Sequence, residues 1–539
     1  MTLATSDSAV RETSAHQDFT GRDRIAWNVL MSWGGQLVFL AAGFLMPRLI
    51  DAHLGQRMLG IWDLSWSIVT TVSYSSLGVG SSTNRYVAKY RAARDVTGVR
   101  RAASSVFFLE LALGGVAAVA TVLAILLVPV LMKERLGDER HLVVGLIGLL
   151  GASVFIPVAL EVFRGVITGC HRWDLHNAIN SVSYAVIIAG MAGVLLSGGG
   201  LLSMAAVYLA GTIVTEAVRA VVAHRVCPEL RIRFADADWG QARSMLQFGA
   251  KSFLDALAGI VLGMGSTLLI TGFMGPSALA VFSRPAGLVR QAASFVAKFA
   301  HVLTPTASAL HGAGRQEELG QFLIATTRQG VCLAIPGMLF LGVMGGSILR
   351  LWMGPRYEAG LLLAVMALMS IPPLVQTPSM TILMGMNMHG RMALLMNALA
   401  LCGLGLGWIA LRHLDWSLVA TTVVLVAPTV IGQGIVLPVY TCRRVGIPLS
   451  RYLREGFLEP LGCVVPFSVC LVIARILLGH RPAIAIVVGG TAGVLSMAPF
   501  YWRYVLPPGT KQRLLAGVTR RLPGRLSSAV RRPAAGVDR

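Results

Sequence analysis

The chain has 539 residues, 55% of them hydrophobic and only 13% charged, with a mean hydropathy of +0.69. Soluble domains carry about 25% charged residues, so a soluble fold is excluded. The net charge of +21 would suit nucleic acid only on a polar exposed surface. This composition provides none, so no nucleic acid partner is expected and the positive charge must report orientation in a membrane.

Residues 1–26 are polar and form an N-terminal segment. The apolar run that follows is too long for a secretory signal and lacks a small-residue cleavage site, so it reads as an uncleaved first span. The bilayer core is ~30 Å thick and a helix rises ~1.5 Å per residue, so each crossing needs roughly 20 mainly apolar residues. Fourteen stretches qualify or nearly so: 27–50, 58–80, 104–131, 143–168, 177–196, 201–223, 246–271, 278–303, 321–349, 360–386, 392–411, 417–440, 456–479 and 484–505. The expected fold is an all-α polytopic membrane protein with about 14 transmembrane helices.

Orientation follows from Lys and Arg in the connecting loops. The termini and the loops on their side carry 28, and the opposite loops carry 8. Both termini are therefore predicted to be cytoplasmic. Residues 506–539 form a basic tail in which Arg520, Arg521, Arg525, Arg531 and Arg532 suit anionic headgroups. The seven cysteines (Cys170, Cys227, Cys332, Cys402, Cys442, Cys463 and Cys470) have no metal-ligand spacing and read as buried thiols. No metal and no cofactor are expected.

An internal repeat appears at a shift of 220 positions. Leu49, Ile50, Gly55 and Leu59 fall on Leu269, Ile270, Gly275 and Leu279, and both segments join the first two spans of a six-span set. A shift of six spans preserves orientation, so the halves would be parallel repeats related by an axis along the membrane normal. The inferred architecture is an N-lobe at 27–223 (spans 1 to 6), a cytoplasmic linker at 224–245 and a C-lobe at 246–440 (spans 7 to 12). The two six-helix lobes would be pseudo-symmetric around a central cavity, with spans 13 and 14 at 441–505 appended. Alternating access by rocking of the lobes follows from this arrangement.

Three motifs carry a resemblance: Arg24-Ile25-Ala26-Trp27-Asn28 at span 1, the Leu54-Gly55-x4-Gly60 turn, and Leu77-Gly78-x5-Asn84-Arg85-Tyr86 after span 2. With them the chain resembles Wzx-type polysaccharide and O-antigen flippases of the polysaccharide transporter family. That family belongs to the multidrug, oligosaccharidyl-lipid and polysaccharide exporter superfamily. The resemblance implies a bacterial inner-membrane transporter, not an enzyme. Its substrate would be undecaprenyl-diphosphate-linked oligosaccharide, moved to the outer leaflet for O-antigen or exopolysaccharide. The implied partners are that substrate, membrane lipids and other polysaccharide-assembly proteins.

Charges at membrane depth cost at least ~2.5 kcal/mol, so they face a cavity or a partner. Glu161 with Arg164 and Glu216 with Arg219 stand three residues apart, and Lys251 with Asp255 four apart, on shared helical faces. The first two pairs read as mutual neutralisation. Lys251 and Asp255 open span 7, where they either pair or line the lobe interface. Span 8 differs, because Arg284, Arg290 and Lys298 recur along ~21 Å with no acid between them. A cationic helix suits a diphosphate, which Arg engages through its planar fork and Lys as a point charge. Arg328 in span 9 is a further candidate, as are Arg85 and Lys89, which would catch phosphate at the cytoplasmic side or simply mark orientation. Asp63 and Glu110 either bind a coupling proton or cation or pair with span 8. Pro285, Pro372, Pro373, Pro378 and Pro428 are expected to bend their helices.

The alternatives are a lipid II-type flippase, a multidrug or small-molecule secondary transporter, and a membrane glycosyltransferase or polymerase. Excess buried cations argue against the multidrug reading. The longest external loop, about 11 residues, and the absence of Walker, HExxH and GxSxG motifs argue against the enzyme.

Overall fold

A computed structural model describes residues 25–76, 80–301, 303–414, 416–506, 509 and 511–512. Within them the secondary structure is helical, with no strand. The first unit contains α1 (Ile25–Leu54), α2 (Gln56–Ser73), α3 (Gly80–Ala92), α4 (Val96–Leu131), α5 (Arg140–Ala159), α6 (Glu161–Gly169), α7 (Trp173–Leu196), α8 (Leu201–Val226) and α9 (Trp239–Met274). Then come α10 (Pro276–His301), α11 (Leu303–Gly312), α12 (Gln316–Met353), α13 (Gly360–Val375), α14 (Thr377–Gly385) and α15 (Gly390–His413). The chain closes with α16 (Leu418–Ile431), α17 (Leu437–Val445), α18 (Leu449–Leu453), α19 (Glu459–Leu478) and α20 (Pro482–Phe500). Two compact units result: Met1–Ser283 with Ala400–Thr421, and Arg284–Leu399 with Thr422–Arg539.

Among the described residues, 12 helices or helix pairs are long and apolar enough to cross a bilayer. Two of the fourteen expected spans fall short of that standard, α2 and α10. Both are helical, but α2 has only 18 residues and includes Asp63, and α10 carries Arg284, Arg290 and Lys298. They occupy equivalent places in the 220-residue repeat.

The repeat has a conformational cause. Gly55 sits at φ 85° and ψ 167°, and Gly275 at φ 88° and ψ 171°. That region is essentially closed to side chains, so a single glycine ends one helix and starts the next. In each turn the glycine amide closes the preceding helix and its carbonyl accepts from the fourth residue onward, Leu59 or Leu279. The two turns also meet within the first unit. A Cβ built on Gly60 would stand 1.8 Å from the Pro276 carbonyl oxygen, so only glycine permits this approach.

Prolines act unevenly. The helix breaks at Leu160 after Pro157, separating α5 from α6, and at Gln376 after Pro372 and Pro373, separating α13 from α14. Pro378 falls in the first turn of α14, where its missing N–H costs nothing. Downstream of Pro428 the helix passes through a π turn at Gly432–Val436, whereas Pro285 lies inside continuous α10. Outward-facing residues such as Leu131, Ile476 and Leu495 are more than 70% exposed, as side chains touching lipid should be. In the second unit the buried Tyr452 hydroxyl bonds Gln376 Oε1 at 3.1 Å and contacts Thr327 and Ser379 hydroxyls at 3.2 Å. That satisfied polar hub locks α18 against α12 and the broken α13–α14 span.

Candidate functional site

A cavity of about 550 Å³ opens inside the first unit, between α1, α5, α6, α7 and α8. Its polar content comes from the breaks described above. Because α5 ends at Leu160, Glu161 and Arg164 lie in a fresh first turn, and one turn of helix brings them into contact. On α8, Glu216 and Arg219 pair by the same spacing but far deeper, at 3% and 8% side-chain exposure against 14% and 44% for Glu161 and Arg164. Arg219 also donates from Nη2 to Asn180 Oδ1 at 2.8 Å, and Asn180 Nδ2 meets His176 Nε2 at 3.1 Å. A hydrogen-bonded chain thus runs Glu216, Arg219, Asn180, His176, from α8 to the first turn of α7. Glu216 Oε2, Arg219 Nε and His176 Nδ1 keep unused hydrogen-bonding capacity.

The cavity wall is aromatic on two sides. Phe39 stacks on Tyr184 with centroids 5.1 Å apart, and Trp66 meets Tyr208 edge-on at 5.1 Å. Two Glu and two Arg balance within the cavity, so it presents donors, acceptors and ring faces without net charge. Such a surface accepts a neutral polar ligand at low desolvation cost. Next to it on α4, Glu110 has no solvent exposure, and neither carboxyl oxygen finds a hydrogen-bond partner among the described residues. The charge that acts on it is Arg164, in the first turn of α6.

The structure gathers the two neutralised pairs in one place and leaves the other candidates elsewhere. Arg284, Arg290 and Lys298 share α10 and do not line this cavity. Arg284 is buried at 5% exposure, Arg290 is exposed, and Lys298 is exposed with its Nζ 5.8 Å from the Phe295 ring centroid. Arg328 is held by Glu459 at 2.8 Å and by the Glu455 and Tyr504 carbonyls. Arg85 and Lys89 are exposed on α3, and Asp63 is half-buried on α2. The Lys251 and Asp255 side chains and the tail arginines Arg520, Arg521, Arg525, Arg531 and Arg532 lie outside the described residues.

Sequence reasoning passed over Asn180, His176, Tyr184 and Tyr208. The available signal was spacing: His176 and Asn180 stand four apart, Asn177 and Asn180 three apart, within an otherwise apolar span.

No curated protein matches the chain. Among solved structures, an inward-facing conformation of a multidrug resistance MATE family transporter of the MOP superfamily matches with a TM-score of 0.59 and 16% identity. That match covers 76% of this chain and 94% of that one. An outward-facing conformation of such a transporter gives 0.56 at 16% identity, covering 79% and 96%. A MOP superfamily transporter from Pyrococcus furiosus, described as having a binding pocket of reversed polarity, gives the same four figures, 0.56, 16%, 79% and 96%. The fold is therefore that of MATE-type transporters. Residues 28–311, more than half of the chain, match the family model for polysaccharide biosynthesis proteins. A helical multi-pass membrane chain with this fold and this match belongs to the polysaccharide biosynthesis protein family.

Proposed function

We propose that the protein is a flippase that carries undecaprenyl-diphosphate-linked oligosaccharide across the bacterial cytoplasmic membrane by alternating access, for cell-surface polysaccharide. The family match over residues 28–311 carries this reading. Two features support it. The uncharged balance of the first-unit cavity, with its amide, hydroxyl and aromatic groups, suits sugar hydroxyls. The acid-free α10, with Arg284, Arg290 and Lys298, suits a diphosphate. A multidrug transporter would instead call for an apolar cavity with carboxylates free to meet a cation. Here both cavity carboxylates are matched by arginines.

The test is a leaflet-accessibility assay in proteoliposomes with a fluorescent lipid-linked oligosaccharide. Arg290→Ala should slow flipping by roughly tenfold or more, with Arg290→Lys intermediate, as expected when a charge-assisted bond is lost or weakened. Flipping at the wild-type rate by both folded variants would remove Arg290 from the mechanism. A wild-type protein that moves multidrug cations but not the oligosaccharide would replace the flippase reading with the multidrug one.

A further inference from the structure

The second unit holds two adjoining cavities that neither the sugar nor the diphosphate reading uses. One is an apolar groove of about 1030 Å³ along α12 and α20. On α12 it follows Gln329, Leu333, Pro336, Gly337 and Phe340, one face of the helix. The α12 lining from Gln329 to Phe340 rises ~16 Å and the lining on α20 and the turn after it, from Ile486 to Tyr501, ~22 Å, so the groove is shorter than the ~30 Å hydrocarbon core. The other is a pocket of about 390 Å³ that shares Gln329 with the groove and is lined by Arg328, Arg451, Arg503 and Lys511 against one acid, Glu455.

Two π turns build that pocket, Arg454–Leu458 and Tyr501–Val505. A π turn shifts the hydrogen-bond register by one residue and frees a carbonyl, which is why such turns gather at functional sites. The Glu455 carbonyl is taken by Arg328 Nε at 3.1 Å, and Arg328 reaches Glu459 as well. Arg451 pairs with Glu455 at 3.1 Å. Arg328 and Arg451 are thus spoken for. Arg503 makes no ion pair among the described residues, and Lys511 donates only to the Arg503 carbonyl, at 3.1 Å. Two cations remain at the mouth of an apolar groove.

We propose that this site holds an anionic phospholipid, its phosphate on Arg503 and Lys511 and an acyl chain in the groove between α12 and α20. Charge and length select this occupant: Arg503 and Lys511 at the groove's mouth suit a phosphate headgroup, and ~16–22 Å of apolar lining suits one acyl chain, whereas a long polyprenyl chain would overrun it. The site shares no lining residue with the first-unit cavity or with α10, and does not depend on what the protein transports.

The test is native mass spectrometry of delipidated full-length protein titrated with phosphatidylglycerol, phosphatidylcholine, glycerol 3-phosphate and a polyprenyl monophosphate. Wild type should bind phosphatidylglycerol roughly tenfold or more tightly than phosphatidylcholine, the effect expected of two interfacial cations. Arg503→Gln with Lys511→Gln should erase that preference and leave phosphatidylcholine binding unchanged. A Cβ at Gly337 meets open space, so Gly337→Leu fills the groove without a clash and should weaken both phospholipids. Thermal unfolding near the wild-type temperature confirms that the variants are folded. Unchanged phosphatidylglycerol binding in both folded variants overturns the site. Glycerol 3-phosphate binding as tightly as the intact lipid overturns the groove's part in it. Polyprenyl monophosphate displacing phosphatidylglycerol at lower concentration overturns the phospholipid as occupant.

Discussion

The first-unit cavity and the second-unit pocket are both rich in arginine, yet they are electrostatic opposites. In the cavity each arginine has a carboxylate three residues away on its own helix, and the balance is neutral. In the pocket Arg328 answers to Glu459 on another helix and Arg451 to Glu455 one turn on, and Arg503 and Lys511 meet no acid among the described residues. Complete pairing makes a polar interior that tolerates burial, while incomplete pairing makes a surface that attracts an anion. The number of arginines says nothing about which results. Partner geometry decides.

Substitutions sharpen the contrast in order of the interactions each one removes. Arg219→Met should cost the most, about 3–5 kcal/mol, because it strands Glu216 at 3% exposure and frees Asn180. Guanidinium unfolding in detergent would measure it, and adding Glu216→Gln should recover a large part, since the penalty belongs to the stranded charge. Full loss of stability in the double variant would mean that the pair itself, not its neutrality, holds α7 to α8. Arg328→Gln removes one ion pair and two carbonyl contacts at a half-buried place and should cost about 1–3 kcal/mol. It should loosen the π turns, which would appear as faster hydrogen exchange at residues 454–458. Glu161→Gln should cost no more than ~1 kcal/mol, because Arg164 is 44% exposed and solvent screens the pair. Arg451→Gln breaks an exposed pair and should shift stability by less than ~0.5 kcal/mol. If the four do not fall in this order, partner geometry is not what separates the two charge systems.

Much of the fold was legible because a bilayer admits few solutions. A run of about 20 apolar residues in hydrocarbon must close its own hydrogen bonds, so the described part of each predicted span is helical. The span count was less legible at α2 and α10, whose charges and short apolar runs set them apart from the 12 apolar spans. The Gly55 and Gly275 pairing was readable from four shared residues because a φ near 85° leaves little choice of side chain. The site was only partly legible. Spacing alone predicted that Glu161 meets Arg164 and Glu216 meets Arg219. It was silent on Asn180 joining Arg219 from 39 positions away, since that bond depends on how α7 crosses α8.

By itself the sequence determined that this is a membrane-embedded helical chain with a repeated helix–glycine–helix turn and two self-neutralising charge pairs. All of these are set by interactions within a few residues or by the surrounding lipid. Only the tertiary structure decided that both pairs share one cavity with Tyr184 and Tyr208, and that Arg328 is held by Glu459 while Arg503 and Lys511 meet no acid among the described residues. Those outcomes depend on helix breaks at Leu160 and π turns at 454–458 and 501–505, which rotate side chains between faces by less than one turn. A rotation that small changes which groups meet while leaving the hydrophobic pattern of the sequence almost unaltered.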